Sequence, residues 1–217
     1  MQLKDKKINF LGDSITEGVG VSSIEKNYVN VFGSISGAKV KNYGISGTRI
    51  ARQSVRSCEE SWDLNFLDRV DTMDSDADIV VVFGGTNDFG HGDAKIGNMS
   101  SRDEYTFYGA LHSLCNRLIN KYPDAEIVFM TPLHRLSEDE PVNDIGIKRE
   151  ILLSGYVDII KEVAGFYGLP VLDLFNISGL QPKIDIIREQ YMPDGLHPSD
   201  KGAQRIANRL YGFLKSL

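Results

Sequence analysis

Short apolar runs alternate along the chain with longer segments in which apolar residues recur at helical spacing. Five runs rich in β-forming residues predict strands at 7–11, 39–43, 78–83, 126–131 and 169–172. Because most of these runs are continuously apolar, we expect strands that are buried on both faces of a sheet.

Helical spacing predicts four helices between and after these strands. The apolar face of the first contains Tyr28, Val31, Phe32 and Ile35, and that of the second contains Tyr108, Leu111, Cys115, Leu118 and Tyr122. A third helix is expected over 147–163, and Pro198-Ser199 starts a last one with Ala203, Ile206, Ala207, Leu210 and Leu214 on one face. Alternating strands and helices predict an α/β fold with a parallel sheet and right-handed crossovers. No linker or repeat divides the chain, so residues 1–217 are expected to form a single domain.

Three segments carry no clear periodicity, at 89–103, 133–146 and 181–193. The first two directly follow predicted strands. Ligands of open parallel sheets bind outside the carboxyl ends of the strands. We therefore expect both segments to rim a ligand-binding crevice.

Composition narrows the range of partners. Hydrophobic residues make up 41% of the chain and charged residues 25%, as in ordinary globular enzymes. The formal charge is -6 and no dense Lys or Arg block occurs, which argues against nucleic acid as a partner. The longest apolar run, Ile79–Phe83, is far shorter than the roughly 20 residues of a membrane span.

The N-terminal lysines precede too short an apolar stretch to act as a signal peptide, so a cytoplasmic location is expected. Cys58 and Cys115 are too few for a disulfide framework, and both are expected to be reduced. None of His91, His112 and His134 stands at metal-ligand spacing from Asp or Glu. The sequence therefore predicts neither a metal nor a cofactor.

Candidate chemistry begins with Ser14, which follows the first predicted strand within Gly-Asp-Ser-Ile-Thr-Glu-Gly. A Gly-Asp-Ser turn alone is common, but a distant Asp-Gly-Leu-His segment supplies the partners that a nucleophilic serine needs. His197 would take the serine proton and Asp194 would orient the imidazole. The Gly44 backbone N–H and the Asn87 amide are candidate donors to an oxyanion.

Four blocks now resemble the SGNH hydrolases, also called the GDSL lipase/esterase family. They lie at 12–18, 42–47, 85–88 and 194–198, in the family's order, and Ile15 replaces the leucine of the family name. The resemblance implies a three-layer α/β/α sandwich of flavodoxin-like order around a five-stranded parallel sheet. It also implies a triad of Ser14, Asp194 and His197, and an oxyanion hole formed by Ser14 N–H, Gly44 and Asn87.

Other polar residues near these blocks have competing interpretations. Asp13 either caps a turn or contacts substrate, and His91 and His134 are candidate substrate-binding residues on the two rim segments. Ser46 is a rival nucleophile, although a small loop hydroxyl is its simpler role.

Arg49 and Arg52 could meet an anionic group, but solvated arginines are the simpler expectation. Trp62 could stack on a sugar, although packing on a helix is commoner. The acidic run at 138–140 is expected to be a solvated loop.

These features favour a serine esterase that acts through an acyl-enzyme on a small-molecule or glycan ester. The loops near His91 and His134 have few large apolar residues, which favours short acyl groups such as acetyl on a carbohydrate. One alternative is a lipid-type acylhydrolase or thioesterase of lysophospholipase-like specificity. Another is a flavodoxin-like module that binds FMN or a phosphorylated ligand without catalysis. The oligomeric state stays open.

Overall fold

A five-stranded, all-parallel sheet forms the centre of the computed structural model, which describes residues 1–217. The strands are β1 (Lys7–Gly12), β2 (Lys39–Gly44), β3 (Ile79–Phe83), β4 (Glu126–Met130) and β5 (Val171–Leu172). Their order is β2-β1-β3-β4-β5, with every neighbouring pair parallel. This flavodoxin-like order confirms the fold that the family resemblance implies.

Nine helices accompany the sheet. They are α1 (Ser14–Glu17), α2 (Tyr28–Ser36), α3 (Phe66–Thr72), α4 (Thr86–His91), α5 (Phe107–Lys121), α6 (Leu153–Phe166), α7 (Leu174–Ile177), α8 (Asp185–Tyr191) and α9 (Asp200–Ser216). Two 3₁₀ turns lie at Ile24–Lys26 and Glu60–Asp63. No helix is both long and apolar enough to cross a bilayer.

Two apolar cores lie on opposite faces of the sheet, because successive strand side chains point to opposite sides. Val80 and Val82 of β3 face α3, α5 and α6, whereas Val81 faces α2 and α9. The central strand β3 is buried along its whole length. The molecule therefore has the three α/β/α layers that were predicted.

The start of α9 shows how a local signal fixes an element. Ser199 is the N-cap, and its side chain accepts a hydrogen bond from the backbone N–H of Gly202. The apolar stripe that follows is buried against the sheet as predicted, through Ala203, Ile206, Ala207, Leu210 and Leu214. This packing places the segment just before α9 at the carboxyl edge of the sheet.

Three sequence-based expectations about elements are wrong. Strand β2 is an edge strand with Lys39, Lys41 and Asn42 exposed, so it is not buried on both faces. Helix α6 begins at Leu153 rather than at 147, because Asn143 Oδ1 accepts from the backbone of Ile147 and holds that stretch in a loop. The segment 181–193, predicted to be irregular, contains α8.

The absence of α8 from the predicted helices has a physical reason. None of its residues is buried, so it has no apolar stripe for a periodicity argument to detect.

Candidate active site

The carboxyl ends of three neighbouring strands meet at one level of the sheet. In the parallel register, Gly12 of β1 lies opposite Gly44 of β2 and Phe83 of β3. The polar segments that follow these strands are therefore neighbours in space. They bring Ser14 and Asn87 to the same edge, as the alternation of strands and helices predicts.

Ser14 is the first residue of α1, which begins directly after β1. Asp13 caps this helix, since its Oδ1 accepts a hydrogen bond from Ile15 N–H at 3.0 Å. Gly12 allows the helix to pack back on the strand, because a Cβ there would lie 2.0 Å from Thr16 Oγ1. The Ser14 backbone N–H bonds to no protein group. Ser14 thus presents both a hydroxyl and an unpartnered amide.

A chain of hydrogen bonds joins Ser14 to the segment before α9. Ser14 Oγ lies 3.0 Å from His197 Nε2, and His197 Nδ1 lies 2.7 Å from Asp194 Oδ2. Because a carboxylate only accepts, the Nδ1 atom carries the ring proton. The Nε2 atom is then left to accept the Ser14 hydroxyl proton, which is the arrangement that activates a serine.

The turn at 194–197 orients Asp194. Its Oδ1 accepts hydrogen bonds from the backbone N–H groups of Leu196 and His197, at 2.9 and 2.7 Å. Gly195 adopts a φ of 78°, and Leu136 occupies the space that a Cβ at this glycine would need. Burial opposes the Asp194 charge, but the hydrogen bonds from the His197 ring and the two backbone groups outweigh it and hold its pKa below the ordinary value. The carboxylate is therefore ionised at neutral pH.

Asn87 lies in the first turn of α4 and is 6% exposed. Its Nδ2 donates one hydrogen bond to the Thr48 carbonyl at 3.0 Å, which leaves the second amide hydrogen without a protein acceptor. Asp88 fixes the helix to the loop after β2, because its two oxygens accept the backbone N–H groups of Ile50 and Ala51 at 2.9 Å. Asp88 therefore bonds backbone groups beneath the site.

The structure corrects the oxyanion role predicted for Gly44. Its N–H already donates to Asn42 Oδ1 at 2.8 Å, and a Cβ at Gly44 would lie 2.1 Å from Glu17 N. Gly44 therefore allows β2 to pack closely on α1. Three residues later, Gly47 has a φ of 73° and a backbone N–H without a partner. Since the Asn87 amide bonds the carbonyl of the next residue, Gly47 is the free backbone donor beside Asn87.

The three candidate substrate contacts have different environments. Asp13 is 2% exposed and serves as a helix cap, so it offers almost no surface to a substrate. His91, in a segment predicted to be irregular, is the last residue of α4 and lines a cavity of about 270 Å³. His134 does not line this cavity. It bonds Glu138 through Nδ1 at 2.7 Å and packs on Phe175.

The cavity beside the site is formed by the two predicted rim segments together with the loop after β2. His91 and Asp93 come from the first rim segment and Ile145 from the second. The complete lining is Arg49, Gln53, Val55, Arg56, Ser57, Cys58, Trp62, His91, Asp93, Ile145 and Ile147. Both segments therefore contribute residues to the wall of one cavity.

Two charged residues expected to be solvated are buried. Arg49 is 3% exposed, and its guanidinium donates to Asp63, to Ser57 and to the Trp62 carbonyl. Glu138 is also buried, because the His134 ring and the Gln181 side chain bond to its carboxylate. Charges of this kind are buried only when they are paired, and the sequence does not show these distant partners.

No group of three or more His, Cys, Asp or Glu side chains is placed to hold a metal ion. Cys58 is exposed, Cys115 is buried, and neither forms a disulfide.

Comparison with known proteins places this geometry in a family. The model of the GDSL-like Lipase/Acylhydrolase family matches residues 10–205. The chain is 25% identical to an acetylxylan esterase of Xylanibacter ruminicola over 96% of its own length and 43% of that protein. It therefore spans less than half of this curated relative.

Solved structures share the fold. A protein from Lactobacillus plantarum is 30% identical with a TM-score of 0.82, covering 99% of this chain and 98% of that one. A lipase/acylhydrolase from Enterococcus faecalis is 24% identical with a TM-score of 0.66, covering 97% of this chain and 96% of that one. The second likeness, at this identity, shows the fold alone.

Proposed function

Because the chain belongs to the GDSL-like lipase/acylhydrolase family, we propose that it hydrolyses carboxylic esters through an acyl-enzyme formed on Ser14. The observation that carries the proposal is the unbroken hydrogen-bond chain from Ser14 Oγ through the His197 ring to Asp194, with contacts of 3.0 and 2.7 Å. This chain of contacts is the one that a nucleophile, a base and an orienting carboxylate require.

The first half-reaction forms a bond between Ser14 Oγ and the ester carbonyl carbon, while the hydroxyl proton moves to His197 Nε2. Collapse of the tetrahedral intermediate breaks the ester C–O bond, and the same proton passes to the leaving alcohol. A water molecule then repeats the sequence and releases the acid. The ionised Asp194 stabilises the imidazolium that forms in each half-reaction.

Three donors stand ready for the oxyanion. They are the unpartnered N–H groups of Ser14 and Gly47 and the second amide hydrogen of Asn87. Loss of one such donor costs roughly 100 to 1,000-fold in turnover. We expect Asn87→Ala to lose turnover to that extent while remaining folded.

For the substrate, we propose short acyl groups such as acetyl, carried by a carbohydrate or another small-molecule alcohol. Support comes from the acetylxylan esterase relative. A series of 4-nitrophenyl esters from acetate to decanoate tests the acyl length. A rise in kcat/KM with chain length would favour lipid-type acyl groups and contradict this part of the proposal.

Covalent labelling tests the nucleophile. An organophosphonate should add one equivalent of mass to the wild type and none to Ser14→Ala. The matched control is Ser46→Ala, which removes the rival serine of the same edge and should label fully. Labelling that persists in Ser14→Ala and disappears in Ser46→Ala would contradict the assignment of Ser14.

A further inference from the structure

Trp62 and His91 line the cavity of about 270 Å³, and each lies near a proposed oxyanion donor. The Trp62 indole packs directly on Gly47, where it fills the space that a Cβ would need. His91 lies four residues after Asn87 on α4, and residues at this spacing share one face of a helix. A group attached to a carbonyl that is held by Gly47 and Asn87 can therefore extend into the cavity.

The side-chain acceptors in the wall are already engaged within the protein. The Asp93 carboxylate accepts the backbone N–H groups of Ser54 and Val55, at 2.7 to 3.1 Å. Gln53 Oε1 accepts the Asp93 N–H at 2.6 Å, and Ser57 Oγ accepts from Arg49 at 2.7 Å. Each of these side-chain acceptors therefore already has a donor within the protein.

Two ring N–H donors of the wall, in contrast, bond to no protein group. Arg49 Nη1 lies 3.2 Å from His91 Nδ1, and since a guanidinium only donates, Nδ1 must accept and Nε2 must carry the ring proton. Burial, together with the nearby Arg49 charge, lowers the pKa of His91 to about 4, so the ring is neutral at physiological pH. Neither His91 Nε2 nor Trp62 Nε1 bonds to a protein group, although each ring lines the cavity.

One cation of the cavity wall has no protein partner. Arg49 is paired with Asp63 at 3.1 Å, and Asp93 is held by backbone donors. Arg56 also lines the cavity, is exposed, and makes neither an ion pair nor a side-chain hydrogen bond with the protein. Three groups of the wall therefore have no hydrogen-bond partner in the protein: His91 Nε2, Trp62 Nε1 and the Arg56 guanidinium, which is a cation.

We propose that this cavity binds the alcohol part of the ester and that this part is a sugar bearing a carboxylate. The sugar oxygens would accept from His91 Nε2 and Trp62 Nε1, and the carboxylate would pair with Arg56. The exposed side chains of Val55, Ile145 and Ile147 supply apolar contacts for the C–H face of the ring. This inference rests on the proposed esterase function and adds a substrate class to it.

The test uses two acetate esters with the same ring, acetylated methyl glucuronoside and acetylated methyl glucoside, which differ at one position by carboxylate against hydroxymethyl. The wild type should prefer the glucuronoside by about 10-fold in kcat/KM, the scale of one charge-assisted hydrogen bond. Arg56→Gln should reduce this ratio to about one. Arg209→Gln, which removes an exposed cation on α9, should keep it.

His91→Phe keeps a ring against Trp62 but removes the donor. It should raise KM for both sugar esters by about 5-fold, the scale of one neutral hydrogen bond, and should leave the preference for the glucuronoside in place.

The esterase function and the acidic-sugar subsite can be contradicted by different results. If the wild type is not labelled by the phosphonate and does not cleave 4-nitrophenyl acetate, the esterase function is wrong. If it cleaves that ester but hydrolyses the two sugar esters equally, or if Arg56→Gln keeps the preference, the acidic-sugar subsite is wrong and the esterase remains.

Discussion

The carboxyl group beside the proposed nucleophile makes the stability of this protein depend on pH. Asp13 is 2% exposed, and burial raises its pKa from 3.8 to about 7, against the opposing effects of the Ile15 N–H and the Arg69 charge. Asp13→Asn is a close isostere. The amide oxygen can still accept from Ile15 N–H and cap α1, whereas the group can no longer ionise.

The direction and the size of this pH effect on the free energy of unfolding follow from proton linkage. The unfolded chain releases the Asp13 proton near its ordinary value of 3.8, and the native protein holds it up to about pH 7. Raising the pH through this window therefore favours unfolding. The shift is about three units at about 1.4 kcal/mol each, so this group removes up to about 4 kcal/mol of stability between about pH 4 and pH 7. Below about pH 4 the native and the unfolded states both hold the Asp13 proton, so this titration removes no stability there.

The measurement is urea unfolding of the wild type and Asp13→Asn at several values from about pH 4.5 to pH 8, followed by the fluorescence of Trp62. The difference between the two proteins isolates the single group, since all other titrations are shared. Asp13→Asn should gain stability relative to the wild type as the pH rises. Asp185→Asn, at a carboxylate whose side chain is 79% exposed, controls for the loss of one charge. A difference that stays constant within about 0.5 kcal/mol over this range would refute the linkage argument.

Three further substitutions probe other contacts. Asp88→Asn places an amide donor against one of the two backbone N–H groups that the carboxylate now accepts, and should cost about 2 to 4 kcal/mol in urea unfolding. Glu17 bonds both the backbone and the hydroxyl of Ser46, one residue before the free Gly47 amide, so Glu17→Gln should lower kcat by about 5-fold with little change in KM for 4-nitrophenyl acetate. Leu210→Ala, in the buried stripe of α9, should cost about 2 to 5 kcal/mol, whereas Asn208→Ala on the exposed face should cost almost nothing.

The elements that were predicted well from the sequence are those whose burial and boundaries are indicated by residues of the same segment. Strand β3 is continuously apolar because helices cover both faces, and α9 has a cap and an apolar stripe within a single segment. The placement of Ser14 and Asn87 at one edge of the sheet was predictable for a related reason. Parallel strands bring all their carboxyl ends to one edge, so the position of a residue after its strand already fixes its neighbourhood.

Partners that are distant in sequence could not be predicted in this way. Arg49 contacts His91, 42 residues away, and Glu138 contacts Gln181, 43 residues away. A charged residue considered alone is expected in water, since its burial without a partner is costly. Only the folded chain supplies those partners. Neither composition nor periodicity could therefore predict the burial of Arg49, which fixes the tautomer of His91.

The choice between Gly44 and Gly47 as the oxyanion donor is intermediate between a local signal and a distant partner. Both glycines stand in one six-residue block, 42–47, which begins within β2, and a glycine allows close approach to the backbone at either position. The deciding contact is local, because the Asn42 side chain accepts the amide of Gly44 two residues later. Asparagine side chains commonly bond their own backbone at this spacing. Because the Asn42 side chain occupies the Gly44 amide, Gly47 is the glycine of this block whose amide can reach an oxyanion. In the cavity wall, likewise, the groups that can reach a ligand are those without a protein partner, on His91, Trp62 and Arg56.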